Sequence, residues 1–505
     1  MTDSHTLSGN ASSANTVASL LSPDALGSAL LSAEGIALDR AALRQEVERL
    51  ATQLRRAGLG PNDRIAIVLP NGPEMALVLL AAMSVGCAAP LNPKYREEEF
   101  RFYLDDLHAS ALLTRQGGAP AALAAAPDGI SLIDVQGEGL AVDLVATVEV
   151  DATAERPSAA DEALVLHTSG TTSRPKIVPL RQSNLANSAR NIAESLQLTP
   201  VDRSLNVMPL FHIHGIMAGL LAPLSAGASV VCTPGFDAFA IHRWIDELKP
   251  TYYSAVPTMH QMVLARAREK RPTTLRFVRS SSASLPAPVL ERLSELFGVP
   301  VIEGYGMTEA SHQMTSNPLP PRHVKPSSVG VATGVEVVIL DDENNELPRG
   351  QRGEVAIRGN TIVAGYENNP TANATAFTNG WFRTGDEGMF DEERYLFLTG
   401  RLKEQINRGG EKISPLEIDA VLLRHPAIAE AVAFAIPHDK LGEEVGAAVV
   451  LATGKEATES ELRSFVGEHL ASFKVPRRIL IVDEVPKGAT GKVQRIGLAA
   501  KLDLG

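Results

Sequence analysis

Cysteine is almost missing from this chain: 505 residues carry only two, Cys87 and Cys232. Both sit in apolar stretches, so neither a disulfide framework nor a cysteine-rich metal site is expected, and a reducing, cytoplasmic setting fits. No apolar run reaches membrane-spanning length, which argues against a helical membrane protein. Positive charge is also scarce, with 47 Lys and Arg against 59 Asp and Glu and a formal charge of −12. A general binder of nucleic acid or of anionic membranes needs the opposite balance, although a local basic pocket remains open. The first fifteen residues lack a basic stretch followed by an apolar core, and their Ser, Thr and Asn read as a disordered tail rather than a signal peptide. The final Asp503-Leu504-Gly505 is not the peroxisomal tripeptide. No internal repeat is found.

What is present is an alternation. Ala41 to Gly58 has helical spacing and ends at glycine; Arg64 to Leu69 reads as a buried strand and Glu74 to Val85 as another helix. The rhythm recurs through Ser229-Val230-Val231, Tyr252 to Ala255 and Pro300-Val301-Ile302. It implies a multidomain α/β protein with layered, largely parallel sheets. After about residue 330, Val335 to Leu340, Gly353 to Arg358 and Tyr395 to Leu398 read as short strands between Gly, Asn and Asp turns, a β-rich subdomain. A last unit starts near Arg401, with helices Pro415 to Leu423 and Glu459 to His469.

The densest chemistry lies in Thr168-Ser169-Gly170-Thr171-Thr172-Ser173-Arg174-Pro175-Lys176, directly after the apolar run Ala163 to Leu166. Hydroxyls and backbone N–H groups at a strand end can wrap a polyphosphate, and two cations can neutralise it. The spacing is not that of a Walker loop, and a plain polar turn is the alternative. Further on, Glu303-Gly304-Tyr305-Gly306-Met307-Thr308-Glu309 sets a ring, a hydroxyl and a carboxylate in a glycine-loosened turn after a strand. Tyr305 could stack on a purine, Thr308 could touch a phosphate and Glu309 could hold Mg²⁺, which prefers oxygen ligands. Asp386, in Gly380-Trp381-Phe382-Arg383-Thr384-Gly385-Asp386, is suited to gripping ribose hydroxyls from a glycine turn. Gly400-Arg401-Leu402-Lys403-Glu404 and Asn407-Arg408-Gly409-Gly410-Glu411 form a polar junction, and Lys492 follows a glycine-rich stretch near the end. Taken singly, each of these could be a solvated turn or linker.

In this order and at these separations, the motifs resemble the adenylate-forming superfamily of acyl-CoA synthetases, luciferases and adenylation domains, from about Ala41 to Arg495. The resemblance implies a large N-terminal domain over 16–400 and a small mobile α+β lid over 401–505 that swings about Lys403. It implies ATP, Mg²⁺ and CoA as cofactor and co-substrates: a carboxylate attacks the α-phosphorus to give an acyl-adenylate, then a thiol displaces AMP. By the same resemblance ATP falls to Thr168, Ser169, Gly170, Thr171, Thr172, Lys176, Ser284, Glu303, Gly304, Tyr305, Thr308, Asp386, Arg401 and Lys492, with the metal on Glu309. Lys492, His212, Thr308 and Glu309 are the expected catalytic residues, and Gly409 and Gly410 the wall of the thiol tunnel. An exposed catalytic lysine is also a target for acylation, which would remove its charge. The chain departs from the family pattern at Ser173 and Ile177, where glycine is usual.

The acid pocket of such enzymes lies beside Pro209 to Gly215, Arg279 to Ser284 and the residues after Glu309. Here all three are polar, with His212, His214, Ser282 and His312 as the expected substrate contacts. Hydroxyls and imidazoles are wasted on an alkyl chain, because buried polar groups need partners. The Ser-Ala-Ser-Leu stretch and the context of His312 are similar to oxalate–CoA ligases. Malonate–CoA ligases carry an Arg just before the Tyr-Gly-Met-Thr-Glu motif, where this chain has Gly304. Malonate or another short acid, loading of a carrier protein, and a silent nucleotide-binding protein remain as alternatives.

Overall fold

A computed structural model describes residues 15–21, 26–151, 155–168, 175–267, 273–487 and 493–504. Of the expected disordered tail over 1–15, residues 1–14 lie outside the described residues, and Asn15 is held by Arg190, whose Nη1 donates to its Oδ1 at 2.8 Å. So do Ser169, Gly170, Thr171 and Thr172 of the hydroxyl-rich loop, and Lys492.

Strands that are apolar at every position suit a parallel sheet covered on both faces. Arg64–Val68 is such a strand from Ile65 onward and sits at the centre of a seven-stranded sheet. Its neighbours Ala111–Thr114 and Cys87–Pro90 run parallel to it, as do Ser131–Glu138 and Glu162–Thr168 beyond them. Ala141–Ala146 and Lys176–Arg181 close the two edges antiparallel. A nine-stranded sheet has the same logic: Val301–Met307, Phe277–Ser281, Tyr252–Ala255, Arg203–Asn206, Ser229–Cys232 and Ser28–Ser32 are parallel in that spatial order. His312–Ser316 adds antiparallel to Val301–Met307 and is followed by Val331–Ala332, while Ala37–Asp39 closes the far edge.

The helix Pro73–Met83 packs against strands of both sheets. Every residue of it except Glu74 is buried, as expected of a helix that is apolar all round. Arg40–Arg56 is instead amphipathic, burying Leu43, Val47, Leu50 and Leu54 at helical spacing. Its first turn is capped by Asp39, which accepts from Ala42 N at 2.8 Å. The expected helix and strand positions agree with these to within two or three residues at each end, except that the strand expected over Pro300 to Ile302 continues to Met307.

Glu336–Leu340, Gly353–Arg358, Trp381–Phe390, Phe377–Thr378 and Leu396–Arg401 make a five-stranded antiparallel sheet, the anticipated β-rich subdomain. Val337, Ile339, Val355, Phe382 and Leu396 join the same apolar core as the two large sheets. The residues after 401 pack around a separate core that includes Ile406, Ile418, Leu422, Val445, Val449 and Leu462. That unit pairs Ile428–His438 with Gly442–Leu451 beneath the helices Pro415–Leu422 and Glu459–His469, an α+β arrangement.

Candidate active site

The segment from Glu303 to Tyr305 is not a turn. Val301–Met307 continues as a strand, and the chain bends only at the 3₁₀ turn Thr308–Ala310. Cross-strand pairing explains this: Glu303 faces Ser280, and Gly304 and Tyr305 face Ser316 and Thr315, so the ladder overrides the glycine signal. Gly306 is needed for close approach, since a Cβ there would lie 1.8 Å from the carbonyl oxygen of His312. The buried Glu303 accepts from Leu285 N at 3.0 Å, and burial pushes its carboxyl up to about 8.

Asp386 also lies within a strand, on a bulge. The register sets Glu387 opposite Glu354 and Arg383 opposite Ala356, so Thr384, Gly385 and Asp386 together face Val355. Gly385 takes the left-handed conformation that this bulge requires, at φ +75°. The result aims Asp386 at the other sheet, where Tyr305 Oη donates to its Oδ2 at 2.5 Å. Arg401, its antiparallel cross-strand partner, donates through Nε to Oδ1 at 3.0 Å. Burial, then the adjacent Asp386 charge, drive the Tyr305 phenol well above its ordinary range, while Asp386 raises Arg401.

A second group gathers at the stem of the hydroxyl-rich loop. Thr168 and Lys176 are cross-strand partners, and Lys176 Nζ lies 4.1 Å from the centre of the Tyr366 ring. Tyr366 Oη donates to Glu309 Oε1 at 2.8 Å. Burial lowers Lys176 and the nearby Glu309 charge opposes that shift. The buried Glu309 carboxylate is an oxygen donor of the kind Mg²⁺ uses, since that ion takes one or two carboxylates and completes its shell with phosphate oxygens and water.

The third group is centred on a residue that the sequence reading passed over. Arg279 is fully buried on Phe277–Ser281. Its Nη1 donates to Ser254 Oγ at 3.0 Å and lies 3.4 Å from His214 Nε2. Its Nη2 donates to Gln313 Oε1 at 3.0 Å and lies 3.5 Å from His312 Nε2. All four partners are uncharged or imidazole, and no carboxylate among the described residues pairs with this guanidinium. Its Nε is buried without a hydrogen-bond partner. Burial lowers its pKa to about 10, which still leaves it charged at neutral pH. The His214 and His312 rings stack with centres 5.0 Å apart, and His214 Nδ1 is 3.1 Å from Ser282 Oγ. Ser282 and His312 both have positive φ, +75° and +96°, a strain that surrounding structure must hold in place. The signal that could have found Arg279 is its place at the head of the quoted serine-rich segment, as a charged residue in a strand that holds no other.

The remaining expected residues are more dispersed. His212 is half-buried and its Nδ1 accepts from His214 N at 3.4 Å. Thr308 is half-buried and Ser284 is exposed. Lys403 is exposed within the 3₁₀ turn Leu402–Glu404. Gly409 and Gly410, at φ +60° and +97°, form the two-residue tip between Ile406–Arg408 and Glu411–Ile413. Their glycine identity therefore has a local cause, because a turn with two positive φ values favours glycine.

Residues 27–367 match the AMP-binding enzyme family and residues 417–492 match the AMP-binding enzyme C-terminal domain. The chain belongs to the AMP-binding enzyme family. Within it, the chain is 47% identical over 473 residues to an oxalate–CoA ligase of Arabidopsis thaliana, covering 91% of this chain and 92% of that protein. An oxalate–CoA ligase of Saccharomyces cerevisiae is 44% identical, with 86% of each chain covered. The crystal structure of ATP-bound MatB from Rhodopseudomonas palustris superposes with a TM-score of 0.87 at 30% identity, over 97% of this chain and 98% of that one. No helix among the described residues is long and apolar enough to cross a membrane.

Proposed function

We propose that this ATP-dependent acid–CoA ligase acts on oxalate, giving oxalyl-CoA, AMP and pyrophosphate. The carrying observation is the stacked pair His214 and His312 with Ser282 Oγ at 3.1 Å from His214, a cluster of imidazole and hydroxyl groups suited to a small polar acid. Relatives whose names are oxalate–CoA ligases support it. Gly304, in place of an arginine, disfavours the longer malonate.

In the first half-reaction a carboxylate oxygen of the acid bonds to the α-phosphorus of ATP as the bond to the pyrophosphate oxygen breaks. Negative charge builds on the α-phosphate and on the leaving group, where Lys492, Lys176, Thr308 and the 168–172 hydroxyls act. Asp386 and Arg401 hold the ribose and Tyr305 the base, with Gly304, Glu303 and Ser284 shaping that wall. His212 and His214 orient the acid. Glu309 would hold Mg²⁺, which supplies charge neutralisation on the phosphates. In the second half-reaction the CoA sulfur bonds to the acyl carbonyl carbon, AMP leaves, and the thiol proton passes to solvent. The lid over 401–505 turns about Lys403 between the two, bringing Gly409 and Gly410 beside the pantetheine arm. A cytoplasmic setting belongs to the same reading, supported by two free, buried cysteines.

The test is pyrophosphate release with ATP, Mg²⁺ and CoA, comparing oxalate with malonate, acetate and a medium-chain fatty acid. Oxalate should be preferred, and His312→Ala and Ser282→Ala should each lose that preference. Equal or faster turnover of another acid would leave the enzyme class and overturn the substrate.

A further inference from the structure

Among the described residues Arg279 is a cation without an anion. Buried charges are ordinarily paired, because an isolated one loses its hydration with nothing in return. Here the guanidinium is held by Ser254 and Gln313 and faces the Nε2 atoms of both histidines at 3.4 and 3.5 Å. Those separations are long for hydrogen bonds, so the contact with the rings is mainly electrostatic. A proton on either Nε2 would point at a positive charge. The proton of each neutral ring therefore belongs on Nδ1, and for His214 that proton meets Ser282 Oγ at 3.1 Å. Ser254 Oγ, 2.7 Å from His214 Nε2, completes the chain by accepting from Arg279 and donating to the ring.

Gly304 makes room for this. A Cβ on Gly304 would lie 2.7 Å from Arg279 Nη2 and 3.2 Å from its Cζ. The guanidinium thus occupies the space against the Val301–Met307 strand at the position where the sequence reading noted a missing arginine, but it arrives from the neighbouring strand.

We propose that Arg279 is a positioning residue for the acid: it fixes His214 and His312 as Nδ1–H donors, and its otherwise unbalanced charge is the counter-charge for the second carboxylate. The inference rests on the oxalate reading and adds how a dianion is told from a monoanion of the same size. A monoanion leaves the buried charge uncompensated, whereas a dianion brings one charge for the chemistry and one for Arg279.

Glyoxylate has oxalate's size with an aldehyde in place of one carboxylate, so it separates charge from shape. In Arg279→Met the KM for oxalate should rise about 30-fold or more, the scale of truncating one partner of a buried charge pair. The inhibition constant of glyoxylate should change less than about threefold in that variant, because the lost term acts on the second charge alone. Arg279→Lys, which keeps the charge and loses the fork, should fall between the two proteins. An unchanged oxalate KM, or oxalate and glyoxylate weakening together, would overturn the proposal. If the variants do not fold, ¹⁵N spectra of histidine-labelled wild-type enzyme decide: both rings must carry the proton on Nδ1, and an Nε2–H form of either one overturns it. Wild-type enzyme that does not turn over oxalate would instead overturn the substrate reading and the dianion role with it.

Discussion

Tyr305 and Asp386 are 81 residues apart and belong to different sheets, yet the phenol donates to the carboxylate at 2.5 Å. The bond fixes the β-rich sheet against the strand that carries the Tyr-Gly-Met-Thr-Glu motif. Since Arg401 takes the other oxygen of Asp386, one buried carboxylate joins the motif strand to the start of the C-terminal unit.

Asp386→Ala should therefore cost more than a ribose contact. It leaves Arg401 without its partner and the Tyr305 hydroxyl without an acceptor. The expected loss is about 10²-fold or more in kcat/KM for ATP, the scale of truncating one side of a hydrogen-bonded charge pair. Tyr305→Phe, which removes one neutral donor, should cost about tenfold or less. Initial rates of pyrophosphate release at varied ATP measure both.

Lys492→Ala should slow adenylate formation by about 10²–10³, as removal of a well-placed charge-stabilising group does. Thioester formation from preformed acyl-adenylate should be spared. Acetylation of Lys492 should act like the alanine, since it removes the same charge. Single-turnover assays of each half-reaction separate the two; equal losses in both would reject the assigned role.

Glu303 makes stability depend on pH. Its folded carboxyl is raised to about 8 from an ordinary 4.5, so the folded state holds the proton more tightly than the unfolded chain. The favourable contribution is complete below about pH 4.5 and is lost as pH rises through about 8. Glu303→Gln should raise the melting temperature at pH 9 relative to wild type, with a smaller gain at pH 6. The reverse order would mean that the carboxylate, not the acid, is the form the fold holds.

Arg495 anchors the C-terminal unit. It reaches Asp419 Oδ2 at 2.5 Å, the carbonyl oxygen of Ala433 at 2.7 Å and Glu404 at 3.4 Å. Asp419 is buried, and burial raises it against the pull of Arg495. Arg495→Met should destabilise this unit by about 3–5 kcal/mol, the cost of leaving a buried partner uncompensated. Limited proteolysis should then cut after residue 401 faster than in wild type. An unchanged digestion pattern would show that the three contacts are dispensable.

The order of elements was legible because burial writes itself into local sequence. Ile65 to Val68 is apolar at every position, and Leu43, Val47, Leu50 and Leu54 recur at helical spacing. The family was legible for a similar reason, since its motifs are short contiguous segments. Glu303 to Tyr305 and Asp386 were misread as turns. Glycine favours turns locally, but ladder pairing in the strands Val301–Met307 and Trp381–Phe390 outweighs that preference.

The sequence by itself carried the family resemblance, and with it the class of reaction, together with the alternating layers and the polar residues His212, His214, Ser282 and His312, because motif order and hydrophobic periodicity are local properties. Only the tertiary structure decided that the buried Arg279 lies among His214, His312, Ser254 and Gln313. Arg279 and Gly304 are adjacent through parallel strand pairing, and Gly304 lacks the Cβ that would displace the guanidinium. No local pattern records such a neighbour, since the contact exists only once two separate strands have paired.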